Sequence, residues 1–295
     1  MVFVLLIQNF FSNLSNAFST IIRLVLLSKP FSKIKKIEQE KDLVILANGP
    51  SLTESIDKHK DFLESKDLMC VNHFPRTEFY QELKPKYLMS IAPDLWLDDI
   101  DNNFVEQSKL LFSEMNKKTT WDLVFFFPYE ARKHKRWQNQ LNDNKHIKIS
   151  YINQIPAEGW KWFRHFVFRK NLGLPRPHNV LIPSIFFGLN MGYRKIYLLG
   201  ADHSWLPEIS VNDDNVALIN QKHFYDAEHS KSETLDKRGK GARRLHEILH
   251  KFMLAFKGYF VLKEYAKSLN AEIYNATNKS YIDAFERINL DNLKK

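Results

Sequence analysis

The residues best suited to chemistry in this chain stand where apolar runs end. Asn48, Gly49 and Ser51 follow the run at 43–46, and Asn72 and His73 close a second at 67–73. Asp94 follows a third at 87–92, and Gly200, Asp202 and His203 stand at the end of a fourth at 195–202. In an open α/β sheet, ligands collect beyond the carboxyl ends of the strands, so runs of this kind bring dispersed polar residues to one place. Gly49 would let backbone approach a ligand, and Ser51 can cap the next helix. The free N–H groups at that helix start favour a phosphate. An ordinary strand-to-helix turn reads the same way, because one glycine is a weaker signal than a full dinucleotide fingerprint. Asp94 taken alone is equally suited to capping a loop.

Two histidines could move protons. His229 lies in Tyr225-Asp226-Ala227-Glu228-His229-Ser230-Lys231, inside the polar stretch 203–242. A histidine on a mobile loop, with a pKa near neutrality, is a natural general base. An exposed loop histidine without a role has the same signature, and so does His203. Asp98, Asp99 and Asp101 include a D-x-D spacing that would suit magnesium bridged to a nucleotide diphosphate. They read as well as an acidic helix surface. His246 and His250 are four apart with Glu247 between them, but no third metal ligand is evident nearby, and a zinc-hydrolase helix is not expected on that ground.

The elements that must position these residues alternate. Strands are expected at 43–46, 67–73, 87–92, 123–127, 195–202 and 271–274. Helices are expected at 56–65, 77–83, 179–191 and 242–269. The apolar strands separated by helices indicate an α/β protein with a mostly parallel sheet and helices on both faces. Residues 129–178 are aromatic and basic, and 203–242 is a long stretch with little periodicity, as in a lid.

With 295 residues, the chain suits one large α/β domain with an insertion. The net charge of +9 is clustered at 29–41, 132–136, 161–170 and 237–251, which suits phosphate-rich partners. Solvated helix faces give similar clusters. The aromatic and basic patches carry no nucleic-acid recognition module, so no nucleic-acid partner is expected. The single cysteine, Cys70, excludes an internal disulfide and a cysteine-rich metal site.

Residues 1–28 are rich in Phe, Leu, Ile and Val, with Arg23 as their only charge. Polar residues interrupt the run before it reaches the ~18–20 apolar residues of a spanning helix. No basic start precedes it, as a signal peptide would require. An amphipathic helix lying in a membrane surface fits, backed by Lys29, Lys33, Lys35 and Lys36. A helix packed on the protein or on a second subunit fits too, which leaves a homo-oligomer open. The chain therefore divides into a membrane-associating segment and basic linker at 1–41 and a globular domain at 42–295, with a lid around 203–242.

Four segments together resemble a known group. They are Ala47-Asn48-Gly49-Pro50-Ser51-Leu52; Cys70-Val71-Asn72-His73-Phe74; the stretch from Asn190 through Gly192 and Gly200 to Asp202; and Ala227-Glu228-His229-Ser230-Lys231. They resemble bacterial sialyltransferases of the Campylobacter type (glycosyltransferase family 42) and the broader group of the motility-associated-factor type. The resemblance runs over roughly 42–287. It implies a Rossmann-like, GT-A-like domain with a lid, and a CMP-sugar donor used without a metal or other cofactor. Asn48 and Gly49 would contact phosphate and ribose, and Asn72 the cytidine or donor sugar. The turn from Arg176 to Asn179 would bind the donor sugar, and His229 would deprotonate the acceptor hydroxyl in an inverting displacement.

Two leaving-group tyrosines of those enzymes are replaced here by His203-Ser204-Trp205, and an asparagine after the third strand by Ala92, with Asp94 close by. Leaving-group stabilisation would then fall to His203, Tyr225 or a basic lid residue, and Kdo becomes as suitable a sugar as sialic acid. The expectation is a cytoplasmic glycosyltransferase, peripheral on the inner membrane, that serves surface polysaccharide or lipopolysaccharide assembly on a glycan or lipid-linked acceptor. The rival expectations are a magnesium-dependent diphosphokinase of the same fold, needing Asp94, Asp98, Asp99 or Asp101, and an inactive membrane-surface scaffold.

Overall fold

A computed structural model describes residues 2–29, 32–37, 41–141, 144–220, 234–235 and 241–293. In chain order the elements are α1 (Val2–Leu27), β1 (Leu43–Leu46), α2 (Leu52–Lys58), α3 (Lys60–Glu64) and β2 (Asp67–Val71). Next come α4 (Phe79–Leu83), β3 (Tyr87–Met89), α5 (Asn102–Lys118), β4 (Leu123–Pro128), α6 (Lys135–Leu141) and β5 (Ile147–Ile152). The rest are α7 (Lys161–Arg169), α8 (Leu181–Met191), β6 (Lys195–Leu199), β7 (Ile209–Val211), β8 (Ala217–Ile219), α9 (Leu245–Ser268), β9 (Glu272–Asn275) and β10 (Glu286–Arg287).

Among the described residues, eight strands form one sheet in the order β10-β9-β6-β1-β2-β3-β4-β5, and every pairing is parallel. The α/β expectation holds. The four residues of β1 and the five of β2 are all buried, as strands covered on both faces must be. Alternate residues feed two cores. Leu43, Ile45, Met69, Val71, Ile196 and Leu198 face α8 and α9. Val44, Leu46, Leu68, Cys70 and Leu199 face α2 and the Leu111–Phe112–Met115 side of α5. Helix α8 is buried along its whole length. A Cβ at Gly188 would lie 2.7 Å from Leu43 Cδ2 and 3.0 Å from Ile196 Cδ1, so glycine there lets the helix sit close on the sheet.

Several elements differ from the expectations. Strand β5 and helices α6 and α7 lie inside the aromatic and basic region 129–178. β5 carries Lys148 and Ser150 where a buried strand would be apolar, because it is the sheet edge. The stretch 203–242 holds an antiparallel hairpin, β7 with β8, that packs Ala217 and Ile219 against Ile248 and Phe252 of α9. The remainder of the expected lid, 221–233 and 236–240, lies outside the described residues.

Helix α1 lies against the body along one stripe. Ala17 and Thr20 are buried, and Leu24 packs on the core. The Thr20 hydroxyl donates to the Glu158 carbonyl (3.1 Å) and accepts from the Glu158 N–H (2.9 Å). Gly159, at φ +114°, leaves room for Ala17, whose Cβ would sit 2.8 Å from a Cβ there. The Glu158 carboxylate joins Arg23 (3.1 Å) and Arg176 (2.6 and 3.1 Å). Most apolar residues of α1, including Phe3, Leu6, Phe11, Phe18, Val25 and Leu26, are exposed. By length and composition α1 is apolar enough to cross a membrane, which exceeds the expectation from the sequence.

Burial pushes the Glu158 carboxyl up, but Arg176 and Arg23 together outweigh it, and the net pKa is lowered. Glu158→Ala is expected to free α1, so that limited proteolysis cuts within α1 several-fold faster and leaves the rest intact. A lowered carboxylate pKa gives docking strength that is fully present above the ordinary glutamate value, about 4.3, and lost as pH falls below it through the lowered docked-state value. Cleavage of the unaltered protein should therefore accelerate only below the ordinary value.

Candidate functional site

Strand order reverses between β1 and β6. Successive elements after β1 run towards β5, and those after β6 run towards β10. A cavity of about 740 Å³ opens at this point, beyond the carboxyl ends of the strands. The turns bring Asn48 and Gly49, Asn72, Asp94, and Gly200, Asp202 and His203 to its wall, as the run-end residues led us to expect. Asn179 joins them from the start of α8. Ser51 and Arg176 do not line the cavity.

The local geometry departs from a phosphate-binding turn. Ser51 makes no side-chain cap of α2. Its hydroxyl donates instead to Asp202 Oδ2 (2.9 Å), and the carboxylate also takes a backbone hydrogen bond from Ser51. The anion position at the start of α2 is thus filled by the protein's own carboxylate. The Gly49 N–H donates to the Gly200 carbonyl (2.8 Å). A Cβ at Gly49 would fall 2.0 Å from Asp202 Oδ2, so glycine is needed for this internal contact. Burial raises the Asp202 pKa, and the Ser51 bonds oppose that rise. Arg176, expected on the donor sugar, is held in the Glu158 ion pair.

Asn179 and His203 belong to one buried chain. Asn179 Oδ1 accepts from the N–H groups of Leu181 (3.0 Å) and Ile182 (3.2 Å), capping α8. Its Nδ2 donates to the Tyr259 hydroxyl (2.9 Å), which is bonded to His203 Nε2. His203 sits at φ +53°, stacked on Trp205 at 4.1 Å. Burial lowers its pKa to about 3. The imidazole is therefore neutral with Nε2 already bonded, which argues against an acid–base role facing the cavity. His229 and Tyr225 lie outside the described residues.

What remains open to a ligand is a set of amides. Asn48 is buried, and among the described residues neither its Oδ1 nor its Nδ2 has a partner. Asn72, at φ +49°, leaves its Oδ1 unpaired, and Gln154, just beyond β5, leaves its Nε2 unpaired. His178 Nε2 is also unpaired, and burial with Arg176 lowers its pKa, so this ring is neutral as well. Burial raises the Asp94 carboxyl, opposed by its own backbone and by Arg136. Arg243 and Lys251 bring positive charge from the start of α9.

The sequence signalled Lys251 and Arg243 only as members of a basic cluster. His178 falls inside the turn from Arg176 to Asn179 that the resemblance assigns to the donor sugar, but Gln154 gave no sign, because the strand preceding it is an edge strand with a weak apolar pattern. Among the described residues, no three His, Cys, Asp or Glu side chains gather as a metal set. Asp98 Oδ2 accepts from His134 Nδ1 at 2.7 Å, and Asp101 caps α5 through the Asn103 N–H (2.8 Å). Of the D-x-D pair, Asp101 thus serves a helix start and Asp99 is exposed.

No protein-family model and no curated protein matches the chain. Among solved structures, the chain is similar to the MAf glycosyltransferase from Magnetospirillum magneticum AMB-1, at 12% identity and a TM-score of 0.48. The match covers 96% of this chain and 39% of that one, so the chain spans about two fifths of that protein's length.

Two outcomes are expected from this geometry. His203 must charge on unfolding, so stability should fall as pH drops from about 6.5 towards 3, where the folded state resists the proton. His203→Asn, a residue type that tolerates left-handed backbone, should flatten that slope in urea titrations at successive pH values. A buried amide with no partner costs about 1–3 kcal/mol. Asn48→Ala should therefore leave the thermal midpoint unchanged or raised, even though it removes a buried side chain.

Proposed function

We propose that the cavity binds a nucleotide-activated sugar and that the protein is a glycosyltransferase. The observation that carries this reading is the buried Asn48 amide, with a donor and an acceptor both unpaired, at the switch point of a parallel sheet. An amide edge of that kind matches a nucleobase edge, and cytosine offers an amino donor beside a ring acceptor. Asn72 and Gln154 add further unpaired atoms, and Arg243 and Lys251 add charge for a phosphate and an acidic sugar. With Asp202 at the start of α2, the phosphate would be met by these cations rather than by that helix.

The finer reading follows the family-42 resemblance. The donor is CMP-linked and its sugar acidic, sialic acid or Kdo, and transfer is inverting and independent of metal. The acceptor is a surface glycan or a lipid-linked one. The base that takes the acceptor proton is His229, named by the resemblance, with His178 as the cavity imidazole able to replace it. A neutral imidazole can accept a proton at pH 7. The exposed apolar face of α1 supports attachment to the inner face of a membrane. Its docked stripe, with Arg23 in an ion pair on the body, favours a helix lying along the surface over one crossing it. The phosphoryl-transfer reading is weaker, since Asp98 and Asp101 are committed elsewhere and Asp94 is the one of those carboxylates on the cavity wall.

Thermal unfolding against CMP, CDP, UDP, GDP and ATP, with magnesium and with chelator, tests the reading. A nucleotide at about 100 times its dissociation constant adds ~2.7 kcal/mol. CMP or CDP should stabilise equally in both conditions, and Asn48→Ala should abolish the effect. Stabilisation by ATP with magnesium alone would favour phosphoryl transfer, and silence from all five would favour a scaffold. His229→Ala should lower turnover by roughly 10²–10⁴-fold with nucleotide binding retained. An unchanged rate would pass the role to His178→Ala as the next variant.

A further inference from the structure

A second cavity, of about 540 Å³, lies at the opposite ends of the strands. Its walls come from strand starts, at Asp67, Tyr87 and Val124, and from the strap 32–37 that follows α1. The strap is fastened at both ends. Ser32 exchanges hydrogen bonds with the Tyr151 backbone (3.0 Å each), and the Ile37 N–H donates to the Met191 carbonyl (3.0 Å).

The charge around this cavity is one-sided. Lys33, Lys35, Lys36, Lys41, Lys86 and Lys148 line it against two carboxylates, Asp67 and Asp122. Asp67 is buried and already bonded to the Tyr193 hydroxyl and to Lys86 (2.7 Å), with Lys41 at 3.8 Å. Asp122 is fully exposed and faces His146 (3.8 Å). Lys33 and Lys148 are exposed and have no ion-pair partner among the described residues. Lys148 stands opposite Val124 in the β4–β5 register, over the sheet face that forms the floor. That floor is apolar, with Tyr87, Val124, Phe126 and Met191, and the strap adds Ile34 and Ile37.

We propose that this cavity binds the phosphate-bearing head group of an anionic lipid, with the start of the lipid chain on the apolar floor. The charge excess selects the anion, and the floor selects an amphiphile over a bare ion. Four residues separate the strap from α1, whose apolar residues are exposed, so a surface that receives α1 lies within a short length of chain of the cavity. Apolar insertion together with a basic site is the two-signal arrangement that gives stable attachment. This site is separate from the candidate nucleotide cavity, and its test does not require the nucleotide reading to hold. An unpaired lysine on an edge strand can also act only as a guard against edge-to-edge pairing. In that case its removal changes aggregation and not lipid binding.

The test uses the full chain and titration calorimetry with dihexanoylphosphatidylglycerol below its micelle concentration, dihexanoylphosphatidylcholine, and inorganic phosphate. One phosphatidylglycerol should bind per chain, with the choline lipid and inorganic phosphate each at least about tenfold weaker. Lys33→Ala and Lys148→Ala should each weaken phosphatidylglycerol about fivefold, the effect of ~1 kcal/mol per lysine, while thermal midpoints stay unchanged. Equal binding of the choline lipid would overturn the anion selection. Inorganic phosphate binding as tightly as the lipid would overturn the apolar half of the site. Unaltered binding in both lysine variants would place the lipid elsewhere and sink the proposal.

Discussion

The Asp202 carboxylate is pressed against Gly49 and bonded to Ser51, and the geometry of the candidate site depends on that contact. It ties the turn after β1 to the turn after β6, the two strands between which the sheet changes direction. The Gly49 N–H on the Gly200 carbonyl is a second tie. From behind, the Ala201 N–H donates to Thr277 Oγ1, the Ser280 hydroxyl donates to the Ala201 carbonyl, and the Tyr281 N–H donates to the Asp202 carbonyl. A buried carboxylate is costly unless hydrogen bonds satisfy it, and the Ser51 bonds offset part of that cost here. The crevice is thereby held in shape by protein groups alone.

One consequence is chemical. Filling the start of α2 with a carboxylate removes the anion site that strand–turn–helix units commonly offer. Under the proposed function, recognition falls to Asn48, Asn72 and Gln154, whose unpaired atoms are left uncompensated in the wall. Each such atom weakens the fold and would gain a partner from a ligand, a pattern found where stability yields to function. His203 shows the contrary case. It was an attractive proton carrier by sequence, yet aromatic packing and Tyr259 make it a neutral structural ring.

A second consequence concerns layout. The two cavities occupy opposite ends of one set of parallel strands; α1 is bonded to Glu158 in the loop after β5, and the strap, bonded to Met191, lines the second cavity. Glu158 is the hub on that path, because it binds Arg23 of α1 and Arg176 of the loop leading into α8. That same loop supplies His178 and Asn179 to the candidate site. A change in how α1 sits is therefore connected to the cavity wall by one carboxylate.

The sequence by itself determined the alternation of apolar strands and helices, hence the parallel sheet. It also determined which polar residues stand at strand ends, because burial on both faces forces an unbroken apolar run and any polar residue must wait until the run stops. Asn48, Asn72, Asp94 and Asp202 were legible for that reason. The tertiary structure decided the partners. Nothing local says that Asp202 will meet Ser51 across 151 positions, that Arg176 will turn to Glu158, or that Asn179 will reach Tyr259. Strand β5 and Gln154 stayed hidden because an edge strand needs only one apolar face, and β5 carries Lys148 on the other. Strand-end polarity is a local consequence of burial and can be read along the chain, whereas a side chain's bond depends on which distant turn the packing brings beside it.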